Sequence, residues 1–270
     1  MTSPDYTNVR ALVFDIYGTL IDWESSIISQ FSHHIGENVP RNDIIKIFRK
    51  HERNIQKDTP TKPYRDIADE AARLTTAELK SITHITPLLR TDRVKIADWP
   101  AFPDTVNTMQ RLKRHYKLIA LSNIDHTSFA STLNGPLKDV EFDAKYIAED
   151  IRSYKPDPAN FEYLISHAKE EFGIGKDEIL MVAHGLETDH AVLPKVGMES
   201  GVWIMRGDAE RLCEEADEIG VGARFETLGD FADAVELAFA GRKDVTVGVE
   251  KEEGMNEALV ELEERGIGGS

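Results

Sequence analysis

Asp15 closes a short apolar run, Ala11-Leu12-Val13-Phe14, that suits a strand buried on both faces, as in a parallel sheet covered by helices. In open α/β sheets the ligand crevice lies beyond the carboxyl ends of the strands, so a carboxylate there stands at a ready-made site. Gly18 supplies backbone freedom for a sharp turn. The Thr19 hydroxyl is near enough in sequence to hold one carboxylate oxygen while the other faces a substrate. Ser122-Asn123 ends a second apolar run just ahead of a helical stretch, where free backbone N–H groups and the helix dipole favour an anion. By itself that pair would more often be a plain helix cap. Tyr154-Lys155-Pro156-Asp157-Pro158 places a lysine ahead of a helix start, and Met181 to Asp189 reads as a strand, a small-residue turn and a late acid.

Asp15-Ile16-Tyr17-Gly18-Thr19 resembles motif one of the haloacid dehalogenase (HAD) superfamily. Phosphatases of that superfamily usually carry a second Asp two residues after the nucleophile, as the acid for the leaving alcohol. Here the position is Tyr17. A phenol titrating near pH ~10 is a poor acid for that step, whereas displacing a halide needs no protonated leaving group. Tyrosine there is the pattern of the L-2-haloacid dehalogenase branch. Ser122-Asn123 is similar to motif two, and the stretch around Lys155 to motif three, in which the lysine lies against the nucleophilic carboxylate. A cation there keeps Asp15 ionised and steadies the charge that develops on it. Met181 to Asp189 is similar to motif four, with His184-Gly185 near the place of the usual Ser and Asn. Ile44 to Lys50 aligns with the cap helix whose arginine receives the halide, which singles out Arg49. Where the branch carries a tyrosine six residues after the lysine, this chain has Phe161.

The resemblance implies a hydrolase working on a small organic acid without a cofactor or metal. Asp15 would displace the halide to form an ester, Arg49 would stabilise the halide, and Lys155 would support the nucleophile. Water activated by Asp189, or by His184, would then release a 2-hydroxy acid. Tyr17, Thr19, Ser122, Asn123, Phe161 and His184 are the expected substrate-binding residues. Two alternatives stand beside this: a phosphatase using Asp15, Asp189 and Mg²⁺, and a non-catalytic HAD-like protein, towards which the altered motif-four loop counts. As bare residues, Asp189 also fits a helix N-cap, Arg49 a surface salt bridge and Lys155 an exposed lysine before proline.

These residues need a scaffold of alternating strands and helices. From Trp23 to about Ile96 the pattern is helical, with stripes at Ile27, Ile28, Phe31 and Ile35, then at Ile44, Ile45, Ile47, Phe48 and Ile55, and a third helix near Tyr64 to Leu79. Pro40, Pro60, Pro63 and Pro87 mark the breaks, and Pro100 and Pro103 bracket a return with Trp99 and Phe102 at the hinge. Beyond it, helices are expected over 104–115, from His126, and over 158–172, 189–196 and 228–239. Strands are expected over 117–121, 142–148, 179–183 and 201–205, with a short one at Phe225. Such alternation implies right-handed crossovers and an α/β fold, a doubly wound parallel sheet. We therefore expect a Rossmann-like core over 1–22 and 99–240, a helical cap over 23–98 inserted after strand one, and a disordered acidic tail over 241–270.

At 270 residues the chain suits a core plus an insertion. Its net charge of −16, with no Lys/Arg cluster, argues against nucleic acid and anionic membrane as partners. A single cysteine, Cys213, excludes an internal disulfide, and no apolar run approaches a membrane span. A cytoplasmic protein is expected, and the resemblance adds that it would often pair as a homodimer.

Overall fold

The computed structural model describes residues 4–30, 39–83, 93–207 and 212–242. Phe31 and Ile35 of the first stripe, the break at Pro87 and the acidic stretch 243–270 lie outside the described residues. Strand β1, Ala11–Phe14, is fully buried along its length because it runs through the middle of the sheet with helices on both faces. It pairs in parallel with β2, Lys117–Ser122, on one side and with β4, Ile179–Ala183, on the other. Strand β3, Ala144–Ile147, lies outside β2, while β5, Val202–Ile204, and β6, Ala223–Phe225, extend the sheet beyond β4. The order β3-β2-β1-β4-β5-β6 reverses direction between β1 and β4, so the carboxyl ends of those two strands flank the crevice where such sheets bind ligands.

Among the described residues three α-helices stand between β1 and β2: α1, Trp23–Gln30; α2, Arg41–Asp58; and α3, Tyr64–Thr83. Helix α2 buries Ile44, Ile45, Phe48 and Ile55, and α3 buries Tyr64, Ile67, Ala68, Ala71, Ala72 and Leu79. These rows recur every three to four residues, which lets the two helices pack along one seam. Outgoing and returning segments are tied together by bridges between Tyr17 and Ile21 and between Ile21 and Ala101. Two backbone bonds reinforce them, Asp22 N–H to Pro100 O at 2.8 Å and Phe102 N–H to Leu20 O at 3.0 Å. Trp99 is buried at this neck, edge-on to Tyr17, and Phe102 lies beneath the Arg206 guanidinium at 4.2 Å.

The rest of the chain covers the sheet with α4, Thr105–Leu112; α5, His126–Asn134; the single turn α6, Ala148–Ile151; and α7, Pro158–Phe172. After β5 come α8, Cys213–Ile219, and α9 over 228–242. Helix α7 opens on Asp157, whose side chain accepts the Ala159 N–H, with Pro158 in the first turn, and ends on Gly173 in the left-handed conformation at φ +63°. The stretch expected as a helix over 189–196 is a 3₁₀ helix, His190–Val196, with Pro194 inside it. Helix α8 was not legible because only Ala216 of its seven residues is buried, too narrow a stripe to show periodicity. Helix α9 runs through Arg242, past the expected boundary at Ala240. Among the described residues no helix is long and apolar enough to cross a membrane.

Alternate residues of β1 serve opposite layers. Leu12 and Phe14 join the cluster shared with α1 to α4, whereas Ala11 and Val13 face α7 together with Ile119, Met181, Leu164 and Ala168. Phe161 belongs to this second layer, with no exposed surface. We expect Phe161→Tyr, which would put a hydroxyl among these apolar neighbours, to lower unfolding free energy by about 1–3 kcal/mol. Urea denaturation would measure it, and an unchanged midpoint would show that the layer has both room and a partner for the oxygen.

Candidate active site

Asp15 follows β1 and is nearly buried, with 8% exposure. Its Oδ2 accepts the Thr19 hydroxyl at 3.1 Å, and that oxygen in turn accepts the His184 backbone N–H at 2.9 Å. The turn that brings Thr19 back needs Gly18 at φ +103°, where a Cβ would also stand 3.2 Å from the Trp23 indole nitrogen. Asp15 Oδ1 accepts Lys155 Nζ at 2.9 Å. The same ammonium donates to Asp189 Oδ1 at 2.6 Å and to the Leu121 carbonyl at 2.9 Å, so its three donors are all satisfied. Burial alone would depress the Lys155 pKa, but Asp15 and Asp189 outweigh it and hold the ammonium charged. Asp189 is pushed up to about 6, by burial first, with Lys155 opposing and Asp15 adding to the rise.

Asn123 places the lysine. Its Oδ1 accepts the Lys155 backbone N–H at 2.7 Å and its Nδ2 donates to the Lys155 carbonyl at 3.0 Å, which clips the loop before α7 to the end of β2. Ser122 is 2% exposed and its hydroxyl has no hydrogen-bonding partner, though the residue lines the cavity in front of Asp15. Asp189 is fully buried and does not cap the helix after it; its second oxygen accepts the Thr188 hydroxyl at 2.7 Å. Gly185 has a steric reason for being glycine, since a Cβ there would collide with Thr188 Oγ1 and the Asp189 carboxylate. The His184 ring packs at the cavity edge with Nδ1 near the Ile204 carbonyl, and burial pushes it down to about 4, leaving it neutral at physiological pH.

The cavity, about 870 Å³, lies between these strand ends and helices α1 to α3. Tyr17 lines it, but the hydroxyl hydrogen-bonds Thr132 Oγ1 at 2.7 Å and burial pushes the phenol above its ordinary range. Arg49 enters from α2, paired with Glu24 at 2.6 Å and lying over the Trp23 ring. Two expected substrate-binding residues stand elsewhere. Phe161 is sealed in the apolar layer under α7 because the first turn of that helix faces the sheet. Thr19 is fully buried behind Asp15, where its hydroxyl is already used.

Arg206 was missed in the sequence. It follows β5, lines the cavity, donates through Nε to the Thr19 carbonyl at 3.1 Å and grips Asp104 with both terminal nitrogens at 2.8 and 3.1 Å. Its signal was a basic residue at a strand's carboxyl end, the same placement that marked Asp15. Thr188, Glu52 and Tyr64 also line the cavity. Each of the four carboxylate oxygens of Asp15 and Asp189 accepts one hydrogen bond, from Lys155, Thr188 or Thr19. Among the described residues no group of three or more His, Cys, Asp or Glu side chains is placed to hold a metal ion.

An (S)-2-haloacid dehalogenase, 4A, of Burkholderia cepacia is 26% identical over 182 residues, 65% of this chain and 75% of its own. The L-2-haloacid dehalogenase RSc1362 superposes with a TM-score of 0.66 at 24% identity, covering 84% of this chain and 99% of that one. The L-2-haloacid dehalogenase of Xanthobacter autotrophicus with chloropropionic acid covalently bound gives 0.64 at 18%, covering 84% and 98%. These two likenesses are of fold. The family model for haloacid dehalogenase-like hydrolases matches residues 9–197, more than half of the chain, and the chain belongs to that family.

Proposed function

We propose that this hydrolase displaces halide from a 2-haloacid through an ester on Asp15 and releases a 2-hydroxy acid. The observation that carries the reading is the pairing of a carboxylate held by Lys155 and Thr19 with a phenol, Tyr17, whose hydroxyl is committed to Thr132. Such a site has a nucleophile but, at Tyr17, no free acid to protonate an alcohol leaving in the first step, and a halide needs none. In the first step an Asp15 oxygen attacks the carbon bearing the halogen, the carbon–halogen bond breaks and the halide leaves towards Arg49. Ser122, with its unpartnered hydroxyl, serves the substrate carboxylate. The names of the relatives, several of them 2-haloacid dehalogenases, support the same substrate class.

In the second step water adds to the ester carbonyl of Asp15, the acyl–oxygen bond breaks, the departing alkoxide takes back the proton that water gave up, and the 2-hydroxy acid leaves with Asp15 regenerated as its acidic proton passes to solvent. The proton released from water needs an acceptor. Asp189 has no exposed surface but accepts the Thr188 hydroxyl, and Thr188 lines the cavity, so the proton passes to Asp189 through that hydroxyl. His184, pushed down to about 4, is the weaker base. In this reading 1–22 and 99–240 form the core and 23–98 the cap, and a cytoplasmic protein able to pair as a homodimer fits the family pattern.

Four outcomes follow from this chemistry. Single turnover in ¹⁸O-water should leave the product hydroxyl almost unlabelled, because its oxygen comes from Asp15; full labelling would exclude the ester. Asp189→Asn should slow ester hydrolysis by at least about a hundredfold, so that intact-protein mass spectrometry after mixing with substrate reports a covalent adduct. Because Asp189 accepts a proton only when ionised, wild-type kcat should fall as pH drops through about 6, and a limb near 4 would instead point to His184. Finally, EDTA should leave turnover unchanged, since Lys155 stands where a cation would join the two carboxylates; loss with chelator and recovery with Mg²⁺ would favour a phosphatase.

A further inference from the structure

The cavity is lined on its helical side by a carboxylate that the reaction does not use. Glu52 lies on α2 one turn beyond Arg49 and faces the same space as Asp15. Its Oε1 accepts the Tyr64 hydroxyl at 2.6 Å, while Oε2 has no hydrogen-bonding partner among the described residues. Neither neighbouring guanidinium pairs with it: Arg49 is committed to Glu24 and Arg53 to Glu187. Burial raises the Glu52 pKa against the effects of Tyr64, Arg49 and Arg53, and the half-buried residue lines the cavity with one oxygen that lacks a donor among the described residues. Tyr64 connects the two ends of the cavity, for its ring stacks on that of Tyr17 with centroids 6.3 Å apart, and Tyr17 sits two residues from Asp15. The wall therefore runs from nucleophile through two aromatic rings to an acceptor. At about 870 Å³ the space lies in the range of about 300–1,000 Å³ that takes drug-sized ligands. A small haloacid would leave most of it unfilled.

We propose that Glu52 is a specificity-determining residue that accepts a hydrogen bond from a neutral donor, a hydroxyl or amide N–H, at the end of the substrate remote from the halogen. The substrates are then extended 2-haloacids with an apolar middle segment against Tyr17 and Tyr64 and a polar tail at Glu52. This rests on the reading of Asp15 as a dehalogenating nucleophile. A neutral donor is favoured over a cation because Arg49 and Arg53 stand close by, and over an anion because Glu52 is itself one.

Matched substrates test it: 2-chloro-6-hydroxyhexanoate and 2-chloroheptanoate have the same length and differ in whether the tail can donate. With chloride release followed, kcat/KM of the wild type should favour the hydroxy acid by roughly ten- to a hundredfold, the worth of one hydrogen bond to a charged acceptor. Glu52→Leu should bring the ratio to about one, and Glu52→Gln, which keeps a neutral acceptor, should give an intermediate ratio. A wild type that treats both acids alike, or a Glu52→Leu variant that keeps the preference, overturns the proposal. Calorimetry separates it from the chemistry. The unreactive 2,6-dihydroxyhexanoate and 2-hydroxyheptanoate, titrated into Asp15→Asn, should differ in affinity by the same factor, and the difference should vanish in Asp15→Asn/Glu52→Leu. If neither chloro acid releases chloride but this difference is found, dehalogenation fails and the Glu52 site stands. Equal affinities, or no binding of either acid, overturn the Glu52 site.

Discussion

Lys155 is 2% exposed, and its ammonium touches two carboxylates and one carbonyl. Three charges in so small a volume are tolerated only because each finds its partner at hydrogen-bond distance; removing one partner from a buried pair costs about 3–5 kcal/mol. The arrangement draws on three strands at once. Asp15 follows β1, Leu121 is in β2, and Asp189 lies beyond β4, while Lys155 comes from the loop before α7. The sheet order puts β1 between β2 and β4, so the ammonium can reach all three partners from one position. One positive charge shared by two acids leaves the cluster with a net negative charge. Burial first, and then the negative charge of Asp15, hold Asp189 above the ordinary carboxylate range against the pull of Lys155.

A second chain of contacts fixes the other side of Asp15. Thr19 holds the carboxylate, the His184 N–H holds Thr19, and Arg206 holds the Thr19 carbonyl while gripping Asp104. Asp104 also accepts the Leu228 N–H at 2.8 Å, joining the start of α4 to the start of α9. The nucleophile is thus oriented by groups from four segments distant in sequence. Each is neutral or already paired towards Asp15, so the carboxylate gains geometry without losing its charge.

The two walls of the cavity divide the work. The core wall carries the charged cluster, Ser122 and Asn123, and its polar atoms are almost all spoken for. The helical wall brings Arg49, Glu52, Arg53 and Tyr64, each borne by an element attached through the neck at Ile21 and Ala101. Residues of the helical wall can therefore change without disturbing the contacts among Asp15, Lys155 and Asp189. Arg49 illustrates the coupling that remains, since its pairing with Glu24 and its seat on Trp23 fix it from α1 and not from the sheet.

What the amino-acid sequence determined by itself was the alternation of strands and helices, the helical insertion, and the positions of Asp15, Ser122, Lys155 and Asp189. Each of those signals is local. An apolar run that stops at a polar residue marks a strand end whatever surrounds it, and a lysine before Pro-Asp-Pro marks a helix start. Where the function of a side chain depends on which way it points, local pattern fails. Phe161 looked like an altered site residue and is a core residue, because the first turn of α7 faces the sheet. Asp189 also fitted a helix cap, and the folded chain instead brings Lys155, 34 positions away, to its carboxylate. Asn123, expected to meet the substrate, lines the cavity and also clips Lys155 in place, a contact that no local pattern announces. Glu52 gave no signal at all, being one acid on the polar face of an amphipathic helix. Its place in the cavity was decided by the packing of α2 and α3 over the sheet, since burial and partner distance are properties of the folded chain that no spacing along the sequence encodes.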